Sequence, residues 1–122
     1  MTALRVGILL VMAGSVLCAS ESSLAVVVEG GHFFREPAWI RVRIRVERDT
    51  ANRGLTVAAL SEGFERHSYE QLDGTIARRT RWVEWPDVPA GEYLVVAQVH
   101  RGPLPPGRAT TRFTVIAREG IL

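Results

Sequence analysis

From Ala38 to Asp49 the chain reads AWIRVRIRVERD, and apolar and charged residues alternate almost without error. Ile40, Val42, Ile44 and Val46 fall on one parity, while Arg41, Arg43, Arg45 and Glu47 fall on the other. Successive side chains of a strand point to opposite faces, so this period predicts a half-buried strand with its arginines in water. Six more short apolar segments share the pattern to different degrees: SLAVVVEGG, LTVAALSEG, FERHSYEQL, TIARRTRWVEW, EYLVVAQVH and ATTRFTVIA. Turn chemistry separates them. Gly30-Gly31, TANRG and Asp73-Gly74 supply backbone freedom, and PDVPAG and RGPLPPG break the pattern twice more. No segment sustains apolar positions at helical spacing over three turns.

Seven short strands with regular turns predict an all-β, seven-stranded antiparallel sandwich, with a barrel of similar strand count as the rival. Within that frame, PDVPAGEYLVVAQV resembles the approach to the sixth strand of immunoglobulin-like and fibronectin type III-like domains. The resemblance implies that Tyr93, in Gly91-Glu92-Tyr93, forms the tyrosine corner and that Val88 plugs the core. It also implies that Val83 and Trp85 point inward, and Trp82 and Glu84 outward. In specific residues it covers Val88 to Val99, and it lacks the Cys–Trp–Cys pattern of true immunoglobulin domains. Because this architecture hosts many unrelated functions, it implies no activity.

The N-terminus has a different character. In MTALRVGILLVMAGSVLCAS, Arg5 is the sole charge, an apolar run extends from Val6 to Ala19, and small residues follow. That is the layout of a secretory signal peptide, and the run is shorter than the ~20 residues of a comfortable bilayer span. Residues 1–25 are therefore expected to be a leader, cut between 19 and 25, and residues 26–122 the domain. Export makes the location secreted or periplasmic, with no stable membrane span after cleavage. Cys18 is the only cysteine and should leave with the leader, so thiolate chemistry and disulfides are not expected in the mature chain.

Composition adds little beyond this. The hydrophobic fraction of 47% and charged fraction of 23% are ordinary for a globular domain. All 15 basic residues are arginine, a bias that fits a GC-rich bacterial genome, and the net charge is only +2 with the signs interleaved. Nucleic-acid binding by bulk charge has no support. His32, His67 and His100 lie too far apart in sequence for a metal motif, so no cofactor or metal is expected. No Gly-x-Ser-x-Gly frames Ser61 or Ser68, and the carboxylates Glu62, Glu65, Glu70 and Asp73 fall in polar segments. The expectation is that the protein is not an enzyme.

The arginine strand remains. If it neighbours the fifth strand, Arg41, Arg43 and Arg45 would share an outer face with Trp82 and Glu84, where stacking and charge pairing explain the stripe as sheet surface. The same four residues, Arg41, Arg43, Arg45 and Trp82, are the candidate binding set. The first expectation is an exported, non-enzymatic interaction or accessory module holding a protein partner in the cell envelope. The alternative is a small carbohydrate- or anion-binding module using the Arg/Trp face.

Overall fold

The computed structural model describes residues 24–118. Residues 1–23 of the expected leader, Cys18 among them, lie outside the described residues, and its last two, Leu24 and Ala25, belong to a strand. Eight strands and no helix are present among those described. They are β1 (Leu24–Val28), β2 (Phe33–Arg35), β3 (Ala38–Val46), β4 (Gly54–Ser61), β5 (Phe64–Gln71), β6 (Thr80–Val88), β7 (Gly91–Arg101) and β8 (Leu104–Ile116). They form a three-stranded sheet, β1-β3-β6, and a five-stranded sheet, β2-β8-β7-β4-β5. The fold is all-β with two sheets, compatible with a β-sandwich.

Both sheets contribute their apolar parity to one core. From the first sheet come Leu24, Val26 and Val28, then Ala38, Ile40, Val42, Ile44 and Val46, then Trp85 and Val88. From the second come Leu55, Val57 and Ala59, then Tyr93, Val95, Ala97 and Val99, then Phe113 and Val115. The period-two reading of β3 therefore holds at every position of the strand, with inward residues buried and outward ones not. Val83 is partly buried against the core, Trp85 and Val88 are fully in it, and Trp82 and Glu84 face out.

Four features differ from the sequence expectation, each for a physical reason. β2 is an eighth strand, three residues long and paired in parallel with β8; every other pairing is antiparallel. A strand this short has no alternation to read. The fifth expected strand, which began at Thr75, begins at Thr80, because residues 73–77 close a tight turn in which Ile76 and Ala77 both donate to the Asp73 carbonyl. The same strand continues past Trp85 through Pro86 and Asp87. There Ala38 pairs with Val88 but Ile40 with Trp85, a bulge that brings both Trp85 and Val88 inward, with Asp87 at φ 54°. Finally, RGPLPPG is not one long turn. Arg101 pairs with Leu104 across Gly102-Pro103 alone, Gly102 taking φ 62°, and the remaining residues belong to β8.

Candidate functional site: the outer face of the three-stranded sheet

β3 is the central strand of its sheet, so its outward residues have neighbours on both sides. Register decides which. Arg43 lies between Val27 of β1 and Trp82 of β6, Arg41 lies opposite Glu84, and Arg45 lies between Ala25 and Thr80. Trp39 continues the row at the end of β3, opposite the bulge residues Pro86 and Asp87. All four expected residues, Arg41, Arg43, Arg45 and Trp82, thus come together on one face.

Each arginine meets a carboxylate there. Arg41 Nε stands 3.2 Å from Glu84 Oε2. Arg43 Nη1 donates to Glu29 Oε2 at 2.7 Å. Arg45 Nη2 lies 3.4 Å from Glu47 Oε2, and Glu47 also faces Arg79 at 3.8 Å. The Arg41 guanidinium lies 4.1 Å from the centroid of the Trp82 ring, and that of Arg43 lies 5.9 Å away. These side chains are about half exposed, so each ion pair contributes roughly 0–1 kcal/mol and each stacking contact about 0.5–1 kcal/mol. The stripe is a charge-compensated ladder. Of its carboxylates, Glu84 followed from the expected strand neighbours. Glu47 was visible in the alternation, two residues beyond Arg45. Glu29 reaches Arg43 only through the β1–β3 register, for which the sequence carries no signal.

The apolar members of this face are open to solvent. Trp39 is 68% exposed, Trp82 43% and Val27 41%. Trp39 is the residue that sequence reasoning left out of the candidate set. Its signal was available, since it shares the parity of Arg41, Arg43 and Arg45.

The remaining polar groups are dispersed. The Nδ1 of His32 donates to the Arg112 carbonyl at 2.9 Å. His67 pairs with Glu65 at 3.1 Å, and His100 Nε2 lies 2.7 Å from Thr56 Oγ1. Tyr93 lies 2% exposed and donates its hydroxyl proton to the Pro89 carbonyl at 2.7 Å. Burial, and then the negative charge of Glu36, hold its phenol above the ordinary value. At the opposite end of the domain, Asp49 accepts from the Ala51 amide and pairs with Arg101 at 2.9 Å, and its carboxyl is held below the ordinary value, the Ala51 bond being the largest cause. An open hollow of about 580 Å³ lies between residues 50–53 and 71–75, framed by Arg53 and Asp73. Asn52, which also lines it, is already committed, its Nδ2 donating to the Glu47 carbonyl at 3.0 Å.

No protein-family model matches this sequence, and no curated protein matches it significantly.

Proposed function

We propose that the protein is an exported, non-enzymatic interaction module with an immunoglobulin-like or fibronectin type III-like sandwich, and that the outer face of β1-β3-β6 holds a protein partner in the cell envelope. The fold reading is supported by a three-stranded sheet beside a five-stranded one, and by the Tyr93–Pro89 hydrogen bond, which has the form of a tyrosine corner. The observation that carries the functional reading is the exposure of Trp39, Trp82 and Val27 beside arginines whose charges are compensated. Protein interfaces concentrate Trp and Arg, and their centres are depleted in charged residues, with the polar groups at the rim. An anion-binding face would instead present guanidiniums without carboxylates against them. A glycan platform would favour open ring faces, and the Trp82 ring already has Arg41 against it.

The test is capture of partners from the organism's own envelope fraction. A Trp39→Ala/Trp82→Ala variant should fold normally, because surface changes stay near ±0.5 kcal/mol, and should lose at least about thirty-fold in affinity, the ~2 kcal/mol of a hot spot. The Arg41→Ser/Arg43→Ser/Arg45→Ser variant should keep the partner. Loss of capture in the arginine variant alone, with steep salt dependence of the wild type, would replace this reading with the anionic one. Retention on a polysaccharide matrix that disappears in the tryptophan variant would replace it with the glycan one.

A further inference from the structure

Two sheets leave four edges, and they are not equivalent. β6 is interrupted by Pro86 and the bulge at Asp87, β1 has five residues and β2 three. The part of β8 that reaches beyond β2, Leu104–Phe113, is broken near its start by Pro105 and Pro106, which offer no N–H, and by Gly107, so its uninterrupted run is shorter than that of β5. β5 is different. Its eight residues, FERHSYEQ, contain no proline, glycine or bulge, and all eight are in register with β4. Among the described residues β5 has no partner on its other side.

The phase of that open edge is fixed by the β4–β5 hairpin. Ser61 pairs with Phe64 across the two-residue turn Glu62-Gly63, and such a closing pair exchanges main-chain hydrogen bonds. Alternation then directs the main-chain groups of Arg66, Ser68 and Glu70 toward β4. Those of Glu65, His67, Tyr69 and Gln71 are directed outward.

We propose that this edge is a homodimer interface, in which β5 pairs antiparallel with β5 of a second copy about a twofold axis at Ser68, making one continuous sheet. The edge is self-complementary. Reversing the strand about Ser68 sets Arg66 opposite the second copy's Glu70, His67 opposite Tyr69 and Glu65 opposite Gln71, each pair occurring twice. Opposite charges that face each other across strands stabilise the pairing and like charges oppose it. The neighbouring registers lose this match. An axis at His67 sets His67 against itself and Arg66 against Ser68. Axes at Arg66 or Glu70 set like charges together. Both members of the charge pair have contacts within their own chain: Arg66 is half-buried, 5.2 Å from the Phe64 ring centroid, and donates to the Pro86 carbonyl at 3.4 Å, while Glu70 accepts from Arg81 yet stays about half exposed. Pairing across the axis adds to these contacts, and His67 and Tyr69 are exposed. An isologous contact of this kind closes at two subunits and consumes the open edge. It uses a different surface from the tryptophan face, so either proposal can fail without the other.

The test uses protein purified from cells expressing the full chain with Cys18→Ser, so that an introduced thiol is the only one. In sedimentation equilibrium over the micromolar range, the protein should run at twice its monomer mass. Added Ser68→Cys places two thiols across the axis at a non-hydrogen-bonded pair, where Cα atoms approach about 4.5 Å, within disulfide range. Mild oxidation should convert it to a covalent dimer, whereas His67→Cys, whose symmetry mate lies opposite Tyr69, should cross-link far more slowly. His67→Pro removes an outward N–H and no ladder bond to β4. It should lose the dimer mass while the far-ultraviolet spectrum of the fold is retained. Arg66→Glu should also run as a monomer. Monomer mass throughout the range, or equal cross-linking of Ser68→Cys and His67→Cys, would overturn the proposal. Cross-linking of Ser68→Cys only to a second kind of chain would overturn it too, in favour of an extended segment of another protein.

Discussion

Tyr93→Phe isolates one hydroxyl and leaves everything else about that residue in place. The Tyr93 ring stacks on Phe113 with centroids 4.8 Å apart and meets Phe64 edge-on at 5.7 Å, and a phenylalanine ring keeps both contacts. What disappears is the 2.7 Å bond to the Pro89 carbonyl. A net hydrogen bond contributes about 0.5–1.5 kcal/mol. Pro89 is only partly buried, so water can reach the abandoned carbonyl and the larger penalty of an unsatisfied buried acceptor does not apply in full. Tyr93→Ala also removes the ring from between Phe113 and Phe64 and should cost about 3–5 kcal/mol, the range for deleting a buried aromatic side chain. Urea denaturation of both variants checks this, with unchanged slopes and a midpoint shift several times larger for Tyr93→Ala. A pH arm separates the hydroxyl from packing. Because the folded state raises the phenol above its ordinary value of 10.0, folding favours the protonated form. The associated stability is complete below pH 10 and is lost as pH rises from there through the folded value. Wild-type stability should therefore fall more steeply than that of Tyr93→Phe above pH 10. Equal and negligible losses in the two variants, or parallel pH profiles, would refute the placement of Tyr93 as a buried, hydrogen-bonded corner.

Parity on β3 predicts opposite fates for adjacent residues. Ile44→Asp puts an unpaired carboxylate at a fully buried position and should prevent folding, as read by circular dichroism. Arg43→Glu places like charges beside Glu29 on a half-exposed face, and its melting temperature should change little. Two glycines make a second contrast. A Cβ at Gly74 would stand 2.5 Å from the Asp49 carbonyl oxygen, which is main chain. A Cβ at Gly54 would stand 2.4 Å from the Tyr69 hydroxyl, the far end of an exposed side chain. Gly74→Ala should therefore lower the denaturation midpoint markedly, and Gly54→Ala should cost less because Tyr69 can swing away.

The parts of the fold legible in the sequence are those in which a side chain's direction follows from position along its own strand. β3, β7 and the inward half of β6 are of this kind: one period-two pattern separates Ile40, Val42 and Ile44 from Arg41, Arg43 and Arg45 without knowledge of any neighbour. The parts that were not legible depend on contacts between segments distant in the chain. β2 exists because Phe33, Phe34 and Arg35 find Thr114, Val115 and Ile116 beside them. Alone it is a three-residue stretch with no period. The extension of β6 past Pro86 depends on a bulge that the facing strand, through Ala38 and Ile40, makes possible. The hairpin at Gly102-Pro103 shows a competing effect. Two further prolines suggested a loop, yet β8 is paired on that stretch only to β7, and an edge position tolerates their missing N–H groups.

The candidate site divides along the same line, and the division changes its chemistry. Read by parity alone, β3 presents three arginines in a row, which suggests a cationic surface. Register converts that surface into a compensated one. Glu84 arrives from β6, Glu29 from the end of β1, and Glu47 from β3 itself, so three positive charges face three negative ones. A one-residue slip of β1 would turn Glu29 to the opposite face, and one of β6 would do the same to Glu84, leaving Arg43 or Arg41 without its carboxylate. The charge of a sheet face is thus a property of pairing, and the pattern of a single strand overstates it here. What parity could supply is the hydrophobic membership of the face. Trp39 shares the arginine phase, and a strand whose outward row opens with a tryptophan and continues with neutralised arginines has the makings of an interface centre with a polar surround. On the proposed reading the contact rests on Trp39 and Trp82, and the arginines, each already paired with a carboxylate, keep the face soluble without being needed for capture.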